Sequence, residues 1–314
     1  MVEAGGPAGE VWFPSYICEE AVYPIRGSRP IRYYEIDDAL RPDWRLMPDD
    51  IKPGGVFVLV HYFGFPSDLA EAQSFCNRHN LALIEDAAHV LRPVSDGTGR
   101  TAPAAIFSPR KLLPVPHGGL LSSTSRRPAR RTGTAAPSAR GWIARRAIQT
   151  ALRAAKLSWP QQYSSESRTP PGDSGRDTAD SSDCSLLTRR LIANGERRFD
   201  DIVSRRRRNF AILREALTLP RGATFVFDDL PVGVCPYLCV LRFPDGNQPA
   251  LGRFRARQVP AGTWPDLPNE VRDSGAFPQA LKLRAELLTL PVHQDLTAAE
   301  MRWIAATDLV STHG

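Results

Sequence analysis

The sequence predicts an α/β protein: a large domain on a mostly parallel sheet, followed by a small α+β domain in the C-terminal part. Three observations predict it. Val56-Phe57-Val58-Leu59-Val60 is a continuous apolar run of strand length, the mark of a parallel strand covered on both faces. A helix-patterned stretch, with Leu69, Ala72, Phe75 and Cys76 on one side, separates it from a second apolar run, Leu81-Ala82-Leu83-Ile84, so the three form a βαβ unit. Beyond residue 186 the pattern becomes helices and strands of a different order, and 314 residues suit about two domains.

In chain order, Val11-Trp12-Phe13 reads as a short strand ended by Pro14, and Ile31 to Ile36 as another. Val56 to His61 is the buried parallel strand, and Ser67 is placed to cap the helix that follows. After Leu81 to Ile84, Ala104 to Phe107 is a further strand. From Ser122 to about Ser185 the character changes. Small and basic residues come first, then a helix candidate over Trp142 to Leu157, then a Ser/Pro/Gly/Asp-rich stretch read as a loop or linker. A long helix is expected from Leu186 to Leu217, strands at Thr224 to Phe227 and Tyr237 to Phe243, and a helix over Phe277 to Leu288. Thr297 with Glu300 makes a capping box for the last helix. The division is therefore 1–125, 126–185 and 186–314.

Hydrophobic residues are 42% and charged residues 24%, values of a globular chain, which excludes wholesale disorder. No run of ~18 apolar residues predicts a membrane span. The opening MVEAGGPAGE has neither a basic nor an apolar signal region. Five scattered cysteines form no ligand cluster, so free thiols in a reducing cytoplasm are expected and no metal site. The net charge of +6 is local, because residues 121–160 carry nine Arg or Lys and no Asp or Glu. No aromatic platform accompanies them, which argues for a solvated insertion and against a nucleic-acid partner. A second run, Arg205 to Arg208, sits opposite Phe199, Ile202, Phe210 and Leu213 and reads as a charged helix face.

Of 40 basic residues only four are lysines: Lys52, Lys111, Lys156 and Lys282. Arginine keeps its proton in proteins, so a lysine in a suggestive place stands out as a candidate amine nucleophile. His61 follows one apolar strand, Asp86 ends the next and Lys111 lies just past a third. In open parallel sheets the carboxyl ends of the strands border the ligand crevice, so the three groups are expected to converge there. Singly, each has a plain reading: a capping aspartate, a hydrogen-bonding histidine, a lysine in a Pro-rich surface loop.

The surrounding residues are characteristic. Ile84-Glu85-Asp86-Ala87-Ala88-His89, Phe107-Ser108-Pro109-Arg110-Lys111 and Gly118-Gly119 together resemble the DegT/DnrJ/EryC1/StrS family, sugar aminotransferases of the aspartate-aminotransferase fold that use pyridoxal 5'-phosphate (PLP). Pro14-Ser15-Tyr16-Ile17-Cys18, Val60-His61-Tyr62-Phe63-Gly64 and the tail with Val234-Cys235-Pro236-Tyr237 and Leu290-Pro291-Val292-His293 are similar to family sequence as well. The resemblance spans most of residues 5–125 and 186–310. It implies a seven-stranded type of mixed sheet and a homodimer. It implies Lys111 as the lysine that joins the cofactor, Asp86 as the partner of the pyridinium nitrogen, His89 beside the phenolic oxygen and Ser108 on the phosphate. His61 is a further cofactor-binding candidate, with a structural role equally open. The implied reaction moves an amino group from an amino acid to a keto sugar, nucleotide-linked, in a ping-pong cycle.

The sequence also departs from the family pattern. Only Met1 to Ala4 precede the loop Gly5-Gly6-Pro7-Ala8-Gly9-Glu10, so the family's first strand-helix unit and its phosphate-holding turn are expected to be missing, either because the start is lost or placed too late or because the chain dispenses with the cradle. The loop before Lys111 is shorter than the common spacing, and no clean match to the family's Asn-x-Arg segment lies near Asp183-Cys184-Ser185. A relative that keeps the fold and works by binding or oligomerising is the alternative reading.

Overall fold

The computed structural model describes residues 9–94, 97–124, 141–144, 146–148 and 184–310. Six strands form the main sheet: β1 (Val11–Pro14), β2 (Ile31–Tyr34), β3 (Val56–Val60), β4 (Ala82–Asp86), β5 (Ala104–Phe107) and β6 (Leu120–Ser123). Their spatial order is β2-β1-β3-β4-β5-β6. The first five are parallel, and β6 runs antiparallel to β5. Among the described residues the sheet thus has six strands where the seven-stranded type is expected. Every residue of β3 is buried, the pattern its unbroken apolar run predicts. The strand β6 has no such run and was not foreseen. Its Leu120 and Leu121 are exposed at the sheet edge.

The helix α1 (Glu19–Val22) follows β1, and α2 (Leu69–His79) joins β3 to β4. Leu69, Ala72, Phe75 and Cys76 face the core as the periodicity predicts. The cap differs from expectation. Asp68 accepts from the Glu71 N–H at 2.9 Å, while the Ser67 hydroxyl donates to the Val60 carbonyl at 2.8 Å and closes the strand end. Ser67 is one residue too early and is spent on β3.

The long helix expected over Leu186 to Leu217 is two helices, α3 (Leu186–Glu196) and α4 (Phe199–Ala216). Asn194 and Gly195 are weak helix formers, and the Arg198 N–H closes on the Gly195 carbonyl at 2.9 Å. Gly195 also packs closely on the loop after β5: a Cβ would stand 3.0 Å from the Leu113 methyls, which would have to shift. The helix α3 is thus pinned to the loop after β5, while α4 turns away to pack on the second sheet. The helices α5 (Gln248–Ala256), α6 (Asn269–Asp273), α7 (Pro278–Glu286) and α8 (Ala298–Ala305) complete the set, the last opened by the expected Thr297–Glu300 capping box.

The second sheet is antiparallel, in order β7 (Thr224–Phe225), β8 (Leu238–Arg242) and β9 (Leu287–Pro291). The strand β9 takes over where the helix Phe277 to Leu288 was expected to end. Leu287-Leu288-Thr289-Leu290 is apolar enough for either form, and full pairing with β8 decides it. One apolar core runs from β1 and β3 through Phe210, Leu213, Val240 and Leu288 to Met301.

The arginine run differs most from its sequence reading. Arg206 is 1% exposed. Its guanidinium donates to Gln294 Oε1 and to the carbonyls of Pro236 and Tyr237. Arg207 donates to the carbonyls of Leu230, Pro231 and Val234. These side chains tie loops to α4, and only part of the run is a solvated face. Of the helix expected over Trp142 to Leu157, residues 141–144 and 146–148 are helical; the rest of it, the polar linker and Met1 to Ala8 lie outside the described residues. All five cysteines are free thiols, three of them buried. No described helix is long and apolar enough to cross a membrane.

Candidate active site

Register places the candidate groups. Val60 on β3 is aligned with Asp86 on β4, and Asp86 with Ile106 on β5. His61, Asp86 and Ser108 therefore emerge at one edge of the sheet. They do not share a face. Side chains alternate along a strand, so His61 follows Leu59 and Glu85 to one side while Asp86 follows Val60 to the other. His61 and Glu85 are both fully buried, and His61 Nε2 donates to Glu85 Oε2 at 2.9 Å. The Ser67 N–H donates to His61 Nδ1, and the Gly99 N–H to the same Glu85 oxygen. The expectation that His61 joins the crevice is corrected: it braces the sheet and the loop around Gly99 from the opposite face.

Asp86 ends β4. Its Oδ1 accepts from the Ala88 N–H at 2.9 Å, and Oδ2 has no partner among the described residues. That is the plain capping role, with one carboxylate oxygen left over. The chain then turns to His89, 8% exposed. The His89 ring lies parallel to Tyr237 at 4.7 Å and to Phe63 at 5.7 Å, with Trp264 edge-on at 6.0 Å. Its Nδ1 accepts from the Phe63 N–H at 3.1 Å. Phe63 adopts φ 56°, a left-handed conformation costly for a bulky residue, on the order of 1–3 kcal/mol. Gly64 follows at φ 90°, and a Cβ there would stand 2.4 Å from the Cys235 carbonyl oxygen. The turn is shaped around His89.

Lys111 closes a 3-10 turn, Pro109–Lys111, opened by Pro109 just after β5. Leu112, Leu113 and Val115 are buried against Ile192, Ile202 and Val203, so the loop is anchored and is not plain surface. Lys111 Nζ stands 2.9 Å from His89 Nε2. Burial pushes the Lys111 amine below its usual range, with Asp86 and then Cys18 pulling the other way. Burial, and then the charge of Lys111, hold His89 well below the usual imidazole value. Cys18 enters the site from the turn after β1, its thiol pushed up by burial. Ser108 lies at the start of the turn with a hydroxyl that has no partner among the described residues. The structure thus brings Lys111 and His89 into contact and Asp86 within Coulombic reach of Lys111. Sequence reasoning missed Phe63, Tyr237 and Trp264, which hold the His89 ring; no local pattern links residues so far apart. An apolar cleft of about 360 Å³ near Phe107, Leu120 and Ile192 is lined by none of Asp86, His89 or Lys111.

The fold is that of PLP-dependent aminotransferases. The aminotransferase TlmJ from Streptoalloteichus hindustanus superposes with a TM-score of 0.69 at 20% identity, over 96% of this chain and 79% of that one. DesI, solved with its TDP-sugar product, gives 0.68 at 20% identity, over 97% and 75%. PseC of Helicobacter pylori, an aminotransferase of pseudoaminic acid biosynthesis, gives 0.66 at 14% identity, over 97% and 80%. Residues 41–141, from before β3 to beyond β6, match the model of the DegT/DnrJ/EryC1/StrS aminotransferase family. The matched segment is shorter than the stretches whose motifs resemble the family, and it contains Asp86, His89, Ser108 and Lys111. No curated protein sequence matches the chain.

Proposed function

We propose that this protein is a PLP-dependent aminotransferase that moves an amino group from an amino acid to a nucleotide-linked keto sugar. The observation that carries the reading is the contact of Lys111 Nζ with His89 Nε2 at 2.9 Å. Burial lowers the Lys111 amine pKa while the Asp86 carboxylate pulls the other way, which supports the same reading. The donor set fits the cofactor's chemistry: an amine to join its aldehyde, a carboxylate with one unpaired oxygen for its ring nitrogen, an imidazole N–H, and the unpartnered Ser108 hydroxyl for its phosphate. When bound, PLP supplies an electron sink. Asp86 would hold the ring nitrogen protonated, His89 would orient the phenolic oxygen, and Lys111 would take and return the proton moved between amino donor and acceptor. The sugar class is supported by the family match and by the likeness to DesI, which was solved with its TDP-sugar product. A homodimer in the cytoplasm and a division at 1–125, 126–185 and 186–314 complete the proposal.

The test is a titration of the purified protein with PLP, followed by borohydride and peptide mapping. A visible absorption band, and a label trapped on Lys111, are expected. A label on another lysine, or no band at saturating PLP, overturns the reading.

A further inference from the structure

We propose that His89 sets the protonation state of Lys111, its Nε2–H donating to the lone pair of Nζ so that the lysine stands as a free amine. The inference rests on the reading of Lys111 as the reacting amine and concerns only atoms of this chain.

The argument is one of donors and acceptors. The Phe63 N–H donates to His89 Nδ1 at 3.1 Å. A ring nitrogen that accepts carries no proton, so the neutral ring has its proton on Nε2. That nitrogen stands 2.9 Å from Lys111 Nζ and can only donate. The acceptor must then be a lone pair, which an ammonium lacks. The opposite arrangement fails. An ammonium donating to Nε2 would need the ring proton on Nδ1, aimed at the Phe63 N–H. A charged imidazolium meets the same collision.

The ring has no easy way out. It is held between Phe63 and Tyr237, with Trp264 on its edge. The Phe63 peptide is held in turn, because its carbonyl accepts from the Tyr237 N–H at 2.7 Å. The groups facing Lys111 are Asp86 from β4, Cys18 and Glu20 from the β1–α1 turn and α1, and Arg110 from its own turn. Asp86, Cys18 and Glu20 favour the ammonium; burial and Arg110 oppose it, and the His89 donor adds to that side through a direct contact.

The experiment uses the full chain, freed of carbonyl compounds by hydroxylamine and dialysis, with no cofactor added. Long-range proton–nitrogen NMR on ¹⁵N-histidine protein, with His89→Gln to assign the signal, reads the tautomer. The Nε2–H form is expected near pH 8, and an Nδ1–H or charged ring overturns the proposal. Trace acetylation against pH, read by peptide mass spectrometry, then compares Lys111 with the exposed Lys52 and Lys282. Lys111 is expected to become reactive at lower pH than either. His89→Phe should reduce its labelling at pH 8 relative to those references about tenfold, the effect of one unit in pKa. His89→Gln, whose amide can accept from Phe63 and donate to Nζ, should restore most of it. An unchanged Lys111 profile in folded His89→Phe overturns the proposal. Failure to bind PLP would leave these readouts untouched, so the two readings fail separately.

Discussion

Arg206 Nε donates to Gln294 Oε1 at 2.7 Å, and Gln294 Nε2 donates to the carbonyl of Leu112 at 3.0 Å. Leu112 is the neighbour of Lys111. The same guanidinium donates to the carbonyl of Tyr237, whose ring lies on His89. One buried arginine on α4 thus reaches both halves of the Lys111–His89 contact, through a side-chain relay on one side and an aromatic ring on the other. Arg206→Met removes the charge and leaves two carbonyls and an amide oxygen without donors. Each orphaned buried acceptor costs about 1–3 kcal/mol, so a loss on the order of 3 kcal/mol is expected in urea unfolding. A change below about 0.5 kcal/mol would show that the relay carries no weight.

Lys111→Met should abolish the borohydride-trapped label and stabilise the fold at neutral pH. Burial lowers the Lys111 pKa in the folded chain, whereas the unfolded chain keeps its ammonium to about pH 10.4. Between the folded and unfolded values the unfolded chain binds more protons, so this lysine's stability cost is largest at low pH and fades as pH rises. The variant should be more stable than wild type at pH 7, a stability–function trade. The gain should shrink toward pH 10 in parallel unfolding curves.

His89 predicts an acid limb. Burial, and then Lys111, hold the folded imidazole well below the ordinary value, so only the unfolded chain takes a proton just below about pH 6.5. Stability from this group is complete above pH 6.5 and is lost as pH falls toward the folded value. The stability difference between wild type and His89→Phe should be constant above pH 7 and narrow from pH 6.5 to 5. A difference that stays flat over that span would mean the ring is not held neutral.

Asp86→Asn should still give a trapped label at Lys111 while transamination falls on the order of 10²–10³-fold, the scale of losing one placed electrostatic group. Single-turnover absorbance separates the two steps. A loss of label in a folded variant would move Asp86 from a chemical role to a structural one.

His61→Leu should cost about 1–3 kcal/mol, because it removes one of the two donors to the buried Glu85 carboxyl oxygen and leaves only the Gly99 N–H. The folded fraction should still label at Lys111 with PLP, since His61 faces away from Asp86. A folded variant that no longer labels would place His61 in the crevice.

The strand β3 was legible because it is an unbroken apolar run of strand length, and α2 because its four apolar residues recur at helical spacing. Asp86 and Lys111 were legible as strand-end positions, since a parallel sheet brings its carboxyl ends together, whereas Ser108 and His89 were singled out only by the family resemblance. His61 shows the limit of that rule. Pairing Leu59 with Glu85 sends His61 to the far face, and register is a property of two strands at once. Arg206 shows another. In the sequence it is one of four consecutive arginines. Only the packing of α4 against β8 and the C-terminal loops leaves this one without water.

Composition, periodicity and motif order determined that this is an α/β chain, with Asp86, His89, Ser108 and Lys111 in reach of one sheet edge. Tertiary structure decided which face each side chain takes, where the long helix breaks, that Leu287 to Pro291 is a strand, and which nitrogen of His89 meets Lys111. The physical reason is range. Hydrophobic spacing and turn chemistry act over a few residues, whereas a tautomer set by Phe63, a ring held by Tyr237 and a loop tied by Gln294 depend on contacts between segments 26, 148 and 182 positions apart.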